Sequence, residues 1–252
     1  MLTVESIPAF NDNYIWLIHN QDKRAVVVDP GDARVVLDYL SAHEMTLDAI
    51  LITHHHADHT GGISELKRHF PNCKVIGPRH DPIPGLTVEL DDEDQLDLFG
   101  LNFSVLHVPG HTLGHIAFYG DGKLFCGDTL FASGCGRLFE GTPEQMYHSL
   151  QRLAQLPEET LVYCTHEYTS SNIAFALVVD PDNEALQTYR DEVNHLRAQS
   201  LPTLPSSIGH EKTVNPFLRC HLDAVKQSVM DRTQNRDDIE TFTQLRHWKD
   251  NF

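Results

Sequence analysis

An apolar run, Ala49–Thr53, ends abruptly in His54-His55-His56-Ala57-Asp58-His59, an H-x-H-x-D-H pattern that opens toward Gly61-Gly62. Alternation along a strand end puts His54 and His56 on one side and His55 on the other. Asp58 and His59 follow on a turn, free to face a second point. Borderline imidazoles with one carboxylate suit zinc, iron or manganese better than calcium or magnesium. A loop of this kind needs a rigid strand behind it, and the neighbouring sequence supplies several. Tyr14–Ile18 and Arg24–Val28 read as a hairpin, stopped by Asp29-Pro30-Gly31. Asp32–His43 carries Val35, Val36, Tyr39 and Leu40 at helical spacing. Gly61-Gly62 leads into a helix reaching Phe70, and Lys74–Ile76 reads as the next strand.

Further strands are expected at Leu101–Val108, at Ile116–Tyr119 and Lys123–Cys126 around the turn Gly120-Asp121-Gly122, and at Leu161–Cys164. Thr142-Pro143-x-Gln145 is a helix start with a cap and a proline at the first position. After about residue 170 the strand signals fade. Helices are expected over Asn183–Gln199, with Leu186, Tyr189, Val193 and Leu196 on one face, and over Asp223–Met230 and Asp237–Trp248. The organisation expected is a mixed α/β domain over 1–170 followed by a helical domain over 171–252.

Composition narrows the partners. Acidic side chains number 36 against 19 basic, a formal charge of −17. That balance argues against nucleic acid and against an anionic membrane surface, both of which call for basic patches. The longest apolar run, Ile173–Val179, is too short to span a bilayer, and the first residues lack a signal-peptide pattern. Five cysteines without a C-x-x-C pair do not describe a disulfide framework, so a reduced, cytoplasmic compartment is expected. The run from Glu89 to Asp97 reads as a solvated turn between strands.

Two ions need more ligands than one loop supplies. His111 follows Val108-Pro109-Gly110, Asp128 follows Phe125-Cys126-Gly127, and His166 follows Val162-Tyr163-Cys164-Thr165. Each sits at a strand end, where α/β folds concentrate their site residues. Two dications side by side repel, so a shared carboxylate such as Asp128 is the natural bridge. His55 alone reads as a packing or surface residue, Asp29 as a turn residue, and His115 fits either a core position or one behind a ligand.

His54, His56, Asp58, His59, His111, Asp128 and His166 together resemble the ligand set of the metallo-β-lactamase superfamily. The resemblance to its glyoxalase II (hydroxyacylglutathione hydrolase) family runs over nearly the whole chain, including Gly134-Cys135-Gly136-Arg137-Leu138-Phe139-Glu140-Gly141 and Arg246-x-x-Lys249-Asp250. It implies an αββα sandwich followed by a small helical glutathione-recognition domain. It implies two divalent ions, zinc foremost with iron or manganese as alternatives. His54, His56 and His111 would hold one ion, Asp58, His59 and His166 the other, with Asp128 shared and Asp29 orienting a ligand histidine. The implied reaction is hydrolysis of S-D-lactoylglutathione and other S-2-hydroxyacylglutathiones to D-lactate (or the corresponding 2-hydroxy acid) and glutathione, the second step of methylglyoxal detoxification, in a monomer. Asp58 would also aim the bridging hydroxide. Arg137, Tyr168, Arg246 and Lys249 would bind the tripeptide, although on residues alone the last pair reads as a solvated helix end. Arg137 stands where the family usually has lysine, and Phe139 where many members have tyrosine.

Other enzymes share this loop. A β-lactamase more often has cysteine at the place of Asp128, a tRNA-processing nuclease wants a basic surface, and a persulfide dioxygenase uses one iron without Asp58 and His59. A non-catalytic metal-binding protein does not need a full seven-ligand set.

Overall fold

The computed structural model describes residues 2–252. The chain up to His107, with Thr112–Gly127, forms one compact unit, and Val108–His111 with Asp128–Phe252 forms a second.

The first unit opens with β1 (Thr3–Ala9), β2 (Asn13–His19) and β3 (Arg24–Val28), joined antiparallel. Helix α1 (Ala33–His43) follows, started by Asp32, whose carboxylate accepts from Arg34 N. Strands β4 (Thr46–Leu51), β5 (Lys74–Pro78) and β6 (Val88–Leu90) then add in parallel in the order β1-β2-β3-β4-β5-β6. Parallel strands need crossovers. Helix α1 makes one, and α2 (Ala57–Thr60) with α3 (Ile63–His69) makes the next. The core of this unit includes Ile15, Leu17, Val27, Val36, Leu40, Ile50, Ile52, Leu66 and Val75. Strands β7 (Gln95–Leu98), β8 (Leu101–His107), β9 (Ile116–Gly120) and β10 (Lys123–Gly127) run antiparallel, β9 and β10 as the expected hairpin.

The acidic run is more than a turn. Its two ends are strands β6 and β7, and Arg79 bridges Glu89 and Asp91 at 2.8 and 2.6 Å. Only the stretch from Asp91 to Asp94 is the turn, with Asp94 accepting from Asp91 N. Alternation survives in β7, with Leu98 buried and Gln95 and Asp97 exposed, although charge conceals it in the sequence.

The second unit carries β11 (Leu130–Phe131) and β12 (Gly134–Cys135), a short antiparallel pair. Helix α4 (Pro143–Ala154) starts at a complete capping box between Thr142 and Gln145. Strand β13 (Leu161–Cys164) leads to His166, two residues beyond it, and pairs with β14 (Ser206–Ser207). The other elements are α5 (Thr169–Val179), α6 (Glu184–Ala198), α7 (Ile208–Val214), a 3-10 turn at Pro216–Leu218, α8 (Asp223–Ser228) and α9 (Asp238–Asp250). Ile173, Ala176, Leu186, Tyr189, Val193 and Val214 form the core joining α5, α6 and α7. Among the described residues, no helix is long and apolar enough to cross a membrane.

Candidate active site

In the first unit the metal loop hangs on Asp29, a buried residue at the end of β3. Its carboxylate accepts Thr53 N at 2.8 Å and Thr53 Oγ1 at 2.7 Å, and its Oδ2 lies 3.0 Å from His59 Nδ1. Asp29, a turn residue on the residues alone, thus lies against both Thr53 and His59. Thr53 has given its only proton to Asp29, so its oxygen accepts from His54 Nδ1, 3.1 Å away. That fixes the proton of His54 on Nδ1 and leaves Nε2 a lone pair. His54 Nε2 faces His56 Nδ1 at 3.1 Å, while His55 turns away to Asp81, although β4 ends at Leu51 and these residues lie beyond its alternation. His59, fully buried, has Nδ1 3.0 Å from Asp29 Oδ2 and Nε2 3.4 Å from Asp58 Oδ2. Asn13 Nδ2 donates to the same Asp58 oxygen at 3.1 Å. His115 is buried and stacks on His54 with centroids 4.6 Å apart, so it supports a candidate ligand from within the core.

In the second unit Asp128 Oδ2 lies 3.4 Å from Nε2 of both His111 and His166. The His111 proton is on Nδ1, donated to the Arg137 carbonyl at 2.7 Å. Gly136 makes this approach possible. A Cβ there would sit 1.9 Å from the Asp128 carbonyl oxygen and 3.3 Å from His111 Nδ1. The Gly134–Gly141 stretch is thereby a support for two candidate ligands as well as a carrier of Arg137. His166 is stacked on Tyr168 and meets Phe131 edge-on.

The lone pair on His111 Nε2 faces the Asp128 carboxylate at 3.4 Å, a contact that favours a cation between the two. The chain carries His/Asp clusters suited to a dinuclear metal site.

Of the substrate-binding candidates, Tyr168 stacks on His166, and Arg137, Arg246 and Lys249 form a separate group in the second unit. Arg246 on α9 is only 4% exposed, so it is not the solvated helix end that the residues alone suggest. It donates to the Cys135 carbonyl and to Asp250, each at 2.9 Å. Arg137 Nε lies 3.4 Å from the same Asp250 oxygen and is more than half exposed. Lys249 Nζ donates to the Ser171 carbonyl at 3.1 Å and lies over Phe175 and Phe252. Burial first, and then Arg246, holds its pKa below the ordinary lysine value. Phe139 is exposed and meets His111 edge-on, so this position offers a ring without a hydroxyl. Two supports carry no signal in the sequence. Thr53 reads only as the end of a strand, and Asp81 lies in a loop 26 residues after His55.

Comparison with known proteins agrees with this picture. Residues 9–166 match the family model of the metallo-beta-lactamase superfamily, and residues 167–252 match that of the hydroxyacylglutathione hydrolase C-terminus. A hydroxyacylglutathione hydrolase of Photobacterium profundum is 64% identical, each chain being covered completely. Among solved structures, BLEG-1 B3 metallo-beta-lactamase is 26% identical with a TM-score of 0.64, covering 86% of this chain and 99% of its own. TTHA1623 in a di-iron-bound form is 27% identical with a TM-score of 0.59, covering 82% and 95%. The fold is therefore a metallo-β-lactamase domain followed by a helical C-terminal domain, and the chain belongs to the hydroxyacylglutathione hydrolase family of the metallo-β-lactamase superfamily.

Proposed function

We propose that this chain hydrolyses S-D-lactoylglutathione and related S-2-hydroxyacylglutathiones to D-lactate, or the matching 2-hydroxy acid, and glutathione, the second step of methylglyoxal detoxification. The observation that carries the metal chemistry is the pair of fixed tautomers, with Nδ1 of His54 and His111 each against an oxygen acceptor. The substrate class comes from the relatives' name, hydroxyacylglutathione hydrolase.

In this reading His54, His56 and His111 would hold one divalent ion and Asp58, His59 and His166 a second, with Asp128 shared. Zinc is the proposed occupant. The donors also suit iron or manganese, and the TTHA1623 relative was solved with two irons. Bound there, such ions supply Lewis acidity, drawing the pKa of water toward neutrality and offsetting charge on the thioester oxygen. Asp58, held by Asn13, accepts a hydrogen bond from the attacking water and aims it at the carbonyl carbon. The leaving thiol has an ordinary pKa of about 8.5, so it departs as thiolate without a general acid. Arg137, Tyr168 and Lys249 hold the tripeptide. Arg246 holds the loop and Asp250 in place, and adds positive charge where a carboxylate arrives.

We assign residues 1–170 to catalysis and 171–252 to glutathione recognition, in a cytoplasmic monomer. The five cysteines are free and buried, which suits a reducing compartment. The deciding experiment gives purified protein S-D-lactoylglutathione, a β-lactam and a phosphodiester in parallel, with elemental analysis of bound metal. Preferred cleavage of the thioester at two ions per chain supports the reading, and preference for either other substrate removes it.

A further inference from the structure

Asp81 lies in the loop between β5 and β6, outside the seven proposed ligands, yet its buried carboxylate takes four donors. Oδ2 accepts His55 N at 3.1 Å, His55 Nδ1 at 2.9 Å and Thr112 Oγ1 at 3.1 Å, and Oδ1 accepts Gly114 N at 3.0 Å. A carboxylate so completely used is a fixed point, because moving any partner costs a buried charge one of its hydrogen bonds. Gly114 shows how close the approach is: a Cβ there would lie 2.2 Å from Oδ1. The backbone of the loop is tied as well, through Ile83 N to the Asp81 carbonyl at 2.9 Å.

The partners are what give this fixed point a role. His55 sits between His54 and His56, and gripping both its backbone N–H and its ring sets the peptide planes from which the two neighbours project. Thr112 directly follows His111 in the chain. We propose that Asp81 is a positioning residue: through His55 it holds the His54-x-His56 pair in ligating geometry, and through Thr112 and Gly114 it anchors the segment leaving His111. His55 is then neither ligand nor simple surface residue, but the handle by which the loop is held. The inference rests on the ligand assignment proposed above and extends it to a carboxylate that touches no ion.

The test compares wild type with Asp81→Asn, which keeps the size but replaces an acceptor with a donor facing N–H and O–H groups. Bound zinc is counted by elemental analysis, and its affinity is measured by competition with a chromophoric chelator. Melting of the metal-free proteins is recorded alongside. The expected result is two ions in wild type, and in Asp81→Asn one ion weakened by about 10- to 100-fold while the other keeps its wild-type affinity. The metal-free variant should melt within a few degrees of metal-free wild type. Two ions held with unchanged affinity would overturn the inference and leave the ligand assignment standing. Equal weakening of both ions with a matching drop in melting would reduce Asp81 to general structure and also overturn it. Fewer than two ions in wild type would remove the ligand assignment itself, and this inference with it. Should Asp81→Asn fail to fold, His55→Ala decides, because it removes the ring donor and leaves the carboxylate. Selective weakening of one ion supports the proposal, and unchanged affinities reject it.

Discussion

The rings of His166 and Tyr168 lie parallel within 3°, their centroids 4.6 Å apart. Two residues of one turn thus serve different ends, since His166 aims Nε2 at Asp128 while Tyr168 covers its face. Removing the ring and removing only its hydroxyl should separate these ends. Tyr168→Phe is expected to keep metal content and kcat near wild type and to raise KM for S-D-lactoylglutathione severalfold. Tyr168→Ala, which also uncovers His166, should lower kcat and the retained metal. Steady-state kinetics with elemental analysis on both variants checks this.

Asp128 is the carboxylate set against two histidines of its own unit. Asp128→Asn weakens the negative charge that two neighbouring dications require. The expected outcome is fewer than two ions per chain after dialysis. Retention of two, measured by elemental analysis, would end the bridging role.

Arg246 and Lys249 differ in burial, so they should fail differently. Arg246→Ala strips buried hydrogen bonds from Cys135 O and Asp250, at a stability cost of about 1–3 kcal/mol. It should lower the melting temperature as well as raise KM. Lys249→Ala should raise KM for glutathione thioesters about tenfold, with little change for a small thioester lacking the tripeptide. The wild-type KM should also rise at alkaline pH, because the ammonium is lost as pH climbs through a pKa lowered by burial. Equal KM changes on both substrates would take Lys249 out of the binding group.

Glu211, buried on α7, accepts Ser133 N, Ser206 Oγ and Asn215 Nδ2, and burial pushes its pKa up to about 7 despite those hydrogen bonds. An acid whose folded pKa exceeds its unfolded value favours folding while protonated. Its contribution is full at pH values below the unfolded pKa of 4.5 and is lost as pH rises to about 7. The loss is on the order of 3 kcal/mol. Glu211→Gln should therefore gain stability relative to wild type between pH 5 and pH 8, as read by denaturant unfolding at each pH. A constant difference would mean that Glu211 does not titrate in this range.

Much of this molecule is written locally. Helices α1, α4, α6 and α9 are announced by Asp32, Thr142, Asn183 and Asp237, each of which caps through its own side chain. The metal loop is legible for a similar reason, since four candidate ligands lie within six residues. Helix α5 is harder to read. Thr169, Asn172, Ile173, Phe175, Ala176 and Val179 form its buried face, but polar Thr169 and Asn172 lie on that face and apolar Ala174 and Val178 on the exposed one, so hydropathy does not follow the period. Strand β1 carries Pro8 and, among the described residues, pairs with β2 alone. Asp81 is illegible for another reason: its partners are 26 to 33 residues away, and nothing nearby marks a carboxylate as an anchor.

The Thr53 hydroxyl gives the metal loop a direction. It passes its proton to Asp29 and receives one from His54, so position 53 accepts only a side chain that both gives and takes. Serine can replace it. Valine, nearly the same shape, would leave His54 free to carry its proton on the wrong nitrogen. The working loop thus begins one residue before its first histidine, and an alcohol there is as much a part of its grammar as the imidazoles that follow.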